Sequence, residues 1–247
     1  MSRKRRPLKT TRSEHWLRVA VNERTHLLNS AIATTFGWSA DEKIRWLSPI
    51  SSDDFAEYSD EAFLKRLGLE GLATPLTKFW PERGPNWDGL ARTDSGKVIL
   101  VEAKAHIEEM VDFSSKASSP ASLAMIECSL EMAKVAYGAR HDAPWPKPLF
   151  QFANRLAHLY FLVKMNRIDA YLVFLSFADA PDVPRPATIQ QWEGAHRLAL
   201  RCLGLSAHPY RGRVGHTTLS VPGALLSVAA GEHGVAPDDR PQTAARG

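Results

Sequence analysis

The N-terminal part of the chain has apolar residues at helical spacing. A helix is predicted over residues 13–36, because apolar side chains recur every three or four positions and share one face. These side chains are Trp16, Val19, Ala20, Leu27 and Leu28. A second helix is predicted over 53–67, where two aspartates form a typical N-cap region and Gly68 is a stop signal. Between them, residues 44–50 form a short apolar segment that stops at Pro49.

The middle of the chain predicts a β-hairpin over residues 87–104. The apolar run VILV forms its second strand, and Asp94-Ser95-Gly96 supplies the turn. If Ser95 is the centre of a three-residue turn, Asp88 lies opposite Glu102. Their Cβ atoms are then about 5 Å apart on one face. A glycine-containing loop of this length often carries a bulge, which would shift the register by one residue.

The second half of the chain predicts helices around one buried strand. The run AYLVFLSF, residues 170–177, is continuously apolar and is typical of a strand buried on both faces. Capping and stop signals predict the helices. They cover residues 123–137, 149–164 and 187–205, with a shorter helical segment at 72–80.

This order of elements indicates one α/β domain over residues 13–222, with helices around a few central strands. Residues 1–12 are expected to be a flexible basic arm. Residues 223–247, which are small, polar and rich in proline and glycine, are expected to be a loose tail.

Composition and charge narrow the possible partners. The chain has 247 residues, of which 44% are hydrophobic, and no apolar run approaches the ~20 residues of a membrane span. Its two cysteines are far apart and lack metal-site spacing, so a reduced, cytoplasmic location is expected. The net charge is +4, but the arm holds six basic residues and no acid, so the remainder is slightly acidic. The arm either contacts phosphates or only improves solubility.

The end of the VILV strand carries candidate chemistry. Residues two apart on a strand share a face, so Glu102 and Lys104 point one way and Ala103 the other. Asp88 and Glu102 would repel each other unless a cation lies between them. Oxygen ligands suit Mg²⁺ or Mn²⁺, and Lys104 could orient an attacking water. The pattern predicts a metal-dependent phosphodiesterase; the alternative is an ion-pair cluster at a sheet edge.

The motif WD-x13-EAK, with Asp88, Glu102 and Lys104, resembles the PD-(D/E)xK nuclease superfamily, although Trp87 replaces the proline. The resemblance rests on about 20 contiguous residues and the element order. It implies a restriction-endonuclease-like core, a mixed central sheet flanked by helices, here with extra N-terminal helices. It also implies a nuclease acting on DNA in preference to RNA, with the Ala103 carbonyl as a further metal ligand. A homodimer is left open.

One helix is expected to support this site. Within 149–164, the residues Gln151, Asn154, Arg155 and His158 form a polar stripe on an otherwise apolar helix. The resemblance implies a catalytic role for Gln151 and substrate contacts for Asn154 and Arg155. The sequence reads Gln-x-x-Asn-Arg, unlike the Gln-x-x-x-Tyr of RecB-like members. The alternative is a solvated helix face.

Two further assignments stay open at the level of sequence. The superfamily often adds an acid from its first core helix, and Glu23, Glu57 and Glu61 are the candidates, with Glu57 preferred as a metal ligand. His106 either contacts the leaving group or is an ordinary surface histidine. The competing functions are a catalytically silent nuclease-fold module that binds nucleic acid or a protein, and a purely structural α/β protein.

Overall fold

The computed structural model describes residues 12–112, 115 and 117–226. Its six α-helices among these residues are α1 Arg12–Asn22, α2 Thr25–Phe36, α3 Asp60–Arg66, α4 Pro120–Tyr137, α5 Phe150–Tyr160 and α6 Ile189–Cys202. The strands are β1 Ile44–Ser48, β2 Gly89–Thr93, β3 Val98–Lys104, β4 Ala170–Ala178 and β5 Val214–Ser220. Short π-helical segments follow α5 and β5, at Phe161–Met165 and Val221–Leu226.

The five strands form one mixed sheet in the order β1-β2-β3-β4-β5. The first three pair antiparallel as a meander, whereas β3, β4 and β5 run parallel to one another. Parallel neighbours need a crossover, which α4 and α5 provide between β3 and β4, and α6 between β4 and β5. The chain is therefore an α/β protein with a five-stranded mixed sheet flanked by helices.

Each face of the sheet is covered by a different set of helices. The face with Val98 and Leu100 packs against apolar residues of α3, α4, α5 and α6. The opposite face, with Ile99 and Val101, packs against α1 and α2. Because both faces are buried, β3 consists of a continuous apolar run instead of an alternating one. The charged residues Glu102 and Lys104 lie at the C-terminal end of β3.

The structure confirms the strand at 170–177 and the helices predicted at 123–137, 149–164 and 187–205, with small shifts at their ends. The helix predicted over 13–36 is two helices, α1 and α2, separated at Glu23 and Arg24. Residues 72–80 contain only a single 3-10 turn, Leu76–Lys78. The apolar segment at 44–50 contains β1, and β5 was not predicted.

The helix predicted over 53–67 is wrong in its first half. Asp54 and Phe55 have positive φ angles of 48° and 55°, in the left-handed region, which a right-handed helix cannot accommodate. The helix α3 begins only at Asp60, and residues 56–59 are mostly extended. This difference moves Glu57 from a helix to an extended segment.

The predicted arm and tail lie largely outside the described residues. Of residues 1–12 only Arg12 is described, and it begins α1. Residues 227–247 are likewise outside, while 223–226 belong to the π-helical segment after β5. Within the described ranges, no helix combines the length and apolarity needed to cross a membrane.

Candidate active site

The hairpin of β2 and β3 has the register predicted from its turn. Gly89 pairs with Val101 and Leu90 with Leu100, which is the alignment centred on Ser95, without a bulge in the paired region. Gly96 has a φ of 93°, a conformation that glycine adopts without strain. Asp88 directly precedes β2, so this register sets it level with Glu102.

Asp88 is attached to the neighbouring strand through its side chain. Its Oδ2 accepts a hydrogen bond of 2.8 Å from the backbone N–H of Ala103. The next residue is Gly89, where a Cβ would lie 3.1 Å from both Trp46 Cζ3 and Val101 Cβ. Because no side chain fits there without displacing its neighbours, the glycine lets β2 approach β3 closely immediately after the acid.

The protonation equilibrium of the Asp88 carboxyl group is strongly shifted. Burial, followed by the nearby charge of Glu102, raises its pKa to about 7, although Lys104 opposes the shift. Glu57 contributes a further negative charge in the same direction. Near neutral pH the carboxyl group is therefore close to half protonated, because burial and Glu102 outweigh the effect of Lys104.

The pKa of Glu102 is shifted in the opposite direction, because two cations contact its carboxylate. Lys104 Nζ lies 2.5 Å from Oε1, and Arg155 contacts Oε2 through Nε at 2.6 Å and Nη2 at 2.5 Å. Burial alone would raise the pKa of Glu102, but Arg155 and then Lys104 lower it below its ordinary value. Glu102 is thus a buried, ionised carboxylate.

Lys104 remains charged despite its partial burial. Loss of water would lower its pKa, but Glu102 and then Asp88 raise it above the ordinary value. Lys104 and Glu102 line a small pocket together with Gln151. The structure therefore brings these candidate residues together, and Gln151, the first residue of the polar stripe, lines the same pocket.

The rest of the stripe lies beneath the site and not at its opening. Arg155 is only 5% exposed, and besides Glu102 it donates to the Asn86 carbonyl at 2.9 Å and to Asn154 Oδ1 at 2.8 Å. Its guanidinium also lies 4.8 Å from the centre of the Trp87 ring. Arg155 is thus a buried partner of Glu102, and Asn154 is a buried partner of Arg155, so the substrate contacts expected of both stay a prediction. The solvated-face alternative is excluded by the same burial.

His158 completes the stripe within the core. It is fully buried, its Nδ1 pairs with the Asn154 carbonyl at 2.8 Å, and aromatic rings surround it. These rings belong to Phe63, Phe79, Trp80 and Trp87. Burial lowers the pKa of His158 to about 3, so the ring is neutral. Its role is in packing below Arg155.

Glu57 lies near the site, but it precedes the bridged residue Tyr58 and is not on the predicted helix. Tyr58 forms an antiparallel bridge with Trp87, whose N–H donates to the Tyr58 carbonyl at 3.0 Å. Antiparallel pairing places the preceding Glu57 beside Asp88, consistent with its effect on the pKa of that acid. The other candidates, Glu23 and Glu61, are both exposed.

His106 follows β3 and is half-buried. Its Nε2 lies 2.8 Å from a carboxylate oxygen of Glu108. This contact matches the surface-histidine alternative, and a leaving-group role for His106 stays a prediction without support from its position.

Sequence reasoning missed Ser176 and His196, which line the same pocket as Lys104. They belong to β4 and α6, and Ser176 Oγ lies 2.8 Å from His196 Nε2. A serine inside an apolar strand and a histidine on the buried face of a helix were the signals that could have indicated them. It also missed the second cation of Glu102, since Arg155 lies 53 residues further along the chain.

No family model, no curated protein and no solved structure matches the chain.

Proposed function

We propose that the protein is a metal-dependent nuclease that hydrolyses phosphodiester bonds, with its active site at Asp88, Glu102 and Lys104. The observation that carries this proposal is the pairing of two carboxylates at one end of a hairpin, with the pKa of Asp88 raised to about 7. Strongly perturbed carboxylates next to a lysine in a pocket are typical of catalytic sites.

The order of elements supports the same proposal. A helix, a three-stranded meander, further helices and a parallel strand follow one another along the chain. This is the order that the resemblance to the PD-(D/E)xK superfamily implies, with the first acid at the start of one hairpin strand and the E-x-K motif on the next. In this proposal α2 is the helix that precedes the meander, and α1 is an extra N-terminal helix.

The donor atoms fit Mg²⁺ or Mn²⁺. Within the described residues, no three histidine, cysteine, aspartate or glutamate side chains are grouped to hold a metal. Mg²⁺ does not require such a group, because it is commonly held by one or two carboxylates together with water and substrate oxygens. Asp88 and Glu102 would hold it, with the Ala103 carbonyl and Glu57 as further oxygen donors. When bound, the ion would polarise the phosphate and lower the pKa of a coordinated water.

The protein side chains would act on water and on charge. Lys104 is held in place by Glu102 and would orient the attacking water and offset negative charge on the phosphate. Gln151, on the wall of the same pocket, would hydrogen-bond to the water or to a backbone oxygen of the substrate. Arg155 keeps Glu102 ionised and fixes its orientation, so it acts through Glu102.

The substrate is inferred to be a nucleic acid, and the preference for DNA over RNA comes from the resemblance alone. The basic residues at the N-terminus are concentrated in 1–12, where they would bind phosphates without sequence preference.

The direct experiment is incubation with labelled single- and double-stranded DNA and RNA in Mg²⁺, Mn²⁺ or EDTA. The wild type should cleave one of these substrates with Mg²⁺ or Mn²⁺ and none in EDTA. Asp88→Asn, Glu102→Gln and Lys104→Ala should each reduce the rate by a factor of about 100 or more. The matched controls Glu61→Gln and Lys65→Ala, both at exposed positions of α3, should cleave at the wild-type rate. Wild-type cleavage by either acid variant would show that the site is elsewhere.

One observation favours a second candidate, the catalytically silent module. Both oxygens of Glu102 are already paired, one with Lys104 and one with Arg155, as in a closed ion-pair network. This reading predicts nucleic-acid binding without cleavage under any metal condition. A metal-dependent rise in melting temperature that disappears in Asp88→Asn, together with cleavage, would favour the nuclease.

A further inference from the structure

A cleft between α6 and β5 adjoins the candidate active site. Its volume is about 410 Å³, within the range of roughly 300–1,000 Å³ typical of small-molecule sites. Two histidines line it, His196 from α6 and His216 from β5. His196 also lines the small pocket that contains Glu102, Lys104 and Gln151, so the two hollows share a wall.

The strand register fixes how far the cleft is from the carboxylates. Glu102 pairs with Phe174 on β4, and Phe174 pairs with His216 on β5, so the three side chains form one row on the same sheet face. Neighbouring strands are about 4.8 Å apart, which separates Glu102 from His216 by about 10 Å. This spacing is comparable to the size of one nucleotide.

Three of the four ring nitrogens of the two histidines have no hydrogen-bond partner among the described residues, whereas Nε2 of His196 pairs with Ser176 Oγ. The three are Nδ1 of His196 and both ring nitrogens of His216, and all are buried. Burial lowers the pKa of His196 to about 3 and that of His216 to about 4, so both rings are neutral. A neutral imidazole presents one donor and one acceptor. A ligand with both kinds of group would satisfy them.

The surfaces next to these nitrogens are flat and aromatic. Phe152 and Phe174 stack with centroids 3.7 Å apart and planes within 9°, and His216 continues the stack 5.4 Å from Phe174 at 14°. Phe152 and Phe174 are buried, whereas His216 is half-buried at the end of the row. Glu193 and Arg197, which are both exposed, place one negative and one positive charge at the rim of the cleft.

We propose that the cleft of His196 and His216 binds the base of a nucleotide adjacent to the phosphate whose charge Lys104 would offset at the proposed active site. The inference deepens the proposed nuclease function and rests on it for the position of the phosphate. A planar heteroaromatic base has the donors and acceptors that the imidazoles lack, and aromatic surfaces stack bases with little sequence preference. A transition-metal site is disfavoured because no third ligand of the usual kinds accompanies the two histidines in the described part of the chain.

The test is calorimetric titration of the full chain in EDTA with deoxynucleoside 5′-monophosphates and with deoxyribose 5-phosphate, which lacks a base. The nucleotides should bind the wild type at least tenfold more tightly than the sugar phosphate. His216→Ala should remove most of this difference, and His216→Phe, which keeps a flat ring, should retain part of it. Arg197→Ala should change the preference for nucleotides over the sugar phosphate less than His216→Ala does, because Arg197 lies at the rim of the cleft. His26→Ala, at an exposed position on α2, is the matched control and should change nothing.

Each outcome decides the inference separately from the cleavage activity. Equal binding of the nucleotides and the sugar phosphate, or an unchanged preference in both His216 variants, overturns the base site even if the wild type cleaves DNA. Tight binding of Zn²⁺ or Ni²⁺ that His216→Ala abolishes would overturn it in favour of a metal site. Base-dependent binding that His216→Ala removes supports the inference even when no cleavage is detected. If His216→Ala does not fold, the preference for nucleotides over the sugar phosphate, compared between the wild type and His216→Phe, carries the test.

Discussion

Replacement of Arg155 by methionine isolates the energetic role of the ion pair below the site. Arg155 and Glu102 are only 5% and 3% exposed, so the variant leaves a buried carboxylate with Lys104 as its remaining cation. It also removes the donors that Arg155 supplies to the Asn86 carbonyl and to Asn154 Oδ1. Methionine retains much of the apolar volume, so the destabilisation reflects charge and hydrogen bonding more than a cavity.

Removal of one partner of a buried ion pair costs about 3–5 kcal/mol. Because Lys104 still neutralises one oxygen of Glu102, the lower end, about 3 kcal/mol, is expected. For a chain of this length the melting temperature should fall by roughly 6–12 °C. The assay is urea unfolding at pH 7, followed by tryptophan fluorescence and far-UV circular dichroism.

The double variant Arg155→Met with Glu102→Gln should be destabilised by less than the sum of the two single variants, because the uncompensated charge is gone. Arg197→Met, at an exposed position, is the control and should stay within ~0.5 kcal/mol of the wild type. A destabilisation below ~1 kcal/mol for Arg155→Met, or strict additivity in the double variant, would refute the argument that this pair supports the site.

Three other predictions concern protonation and the basic arm. Asp88→Asn should be nearly equal to the wild type in stability at pH 4 and more stable by about 3–4 kcal/mol at pH 8, because an acid with a raised pKa loses folded-state stability as pH rises from its unfolded value toward about 7. Parallel pH profiles from urea unfolding would contradict this. His158 has a folded pKa of about 3, so its contribution to stability should fall by about 1.4 kcal/mol per pH unit as pH drops below roughly 6.5. His158→Met should reduce the slope of stability against pH in the same assay, and an unchanged slope would mean that the ring is not held neutral. Deletion of residues 1–11 removes five positive charges and spares α1. The slope of log Kd for DNA against log salt concentration should become shallower by about 0.9 for each phosphate that the arm neutralises in the full chain. An equal slope would exclude the arm from the interface.

The sequence predicted the hairpin and its three charged residues because their relative positions depend on local features. The turn at Asp94-Ser95-Gly96 and the period of two along a strand together set Asp88 level with Glu102. Both rules act over fewer than about 20 residues, so they need no knowledge of the tertiary fold.

Longer-range placements were not accessible in the same way. Arg155 could be assigned to a polar stripe, but its pairing with Glu102 depends on how α5 crosses β3. The residues around Glu57 predict a helix, but the left-handed backbone at Asp54 and Phe55 excludes a continuous right-handed helix there. Local propensity carries no information about either arrangement.

The strand β5 was missed for a different reason. Its sequence, VGHTTLS, contains few large apolar residues, and its buried positions are Gly215, Thr217 and Leu219. A Cβ at Gly215 would lie 2.6 Å from Thr35 Cγ2, so the glycine permits close packing of α2 on the strand. A small residue that allows close approach of a distant helix resembles a loop residue when only the sequence is available.

Ala103 links the two sides of the sheet. Its N–H donates to Asp88 on one side, while its methyl group is buried in the core that includes α1 and α2. The precision of the carboxylate therefore depends on a packing layer that no substrate would contact. Substitutions that loosen α1 against β3 should broaden the range of positions available to Asp88 well before the protein unfolds. Gradual heating should accordingly abolish the proposed nuclease activity below the melting temperature of the protein, and mutations that improve the fit of α1 should extend the temperature range of that activity without altering a residue of the proposed site.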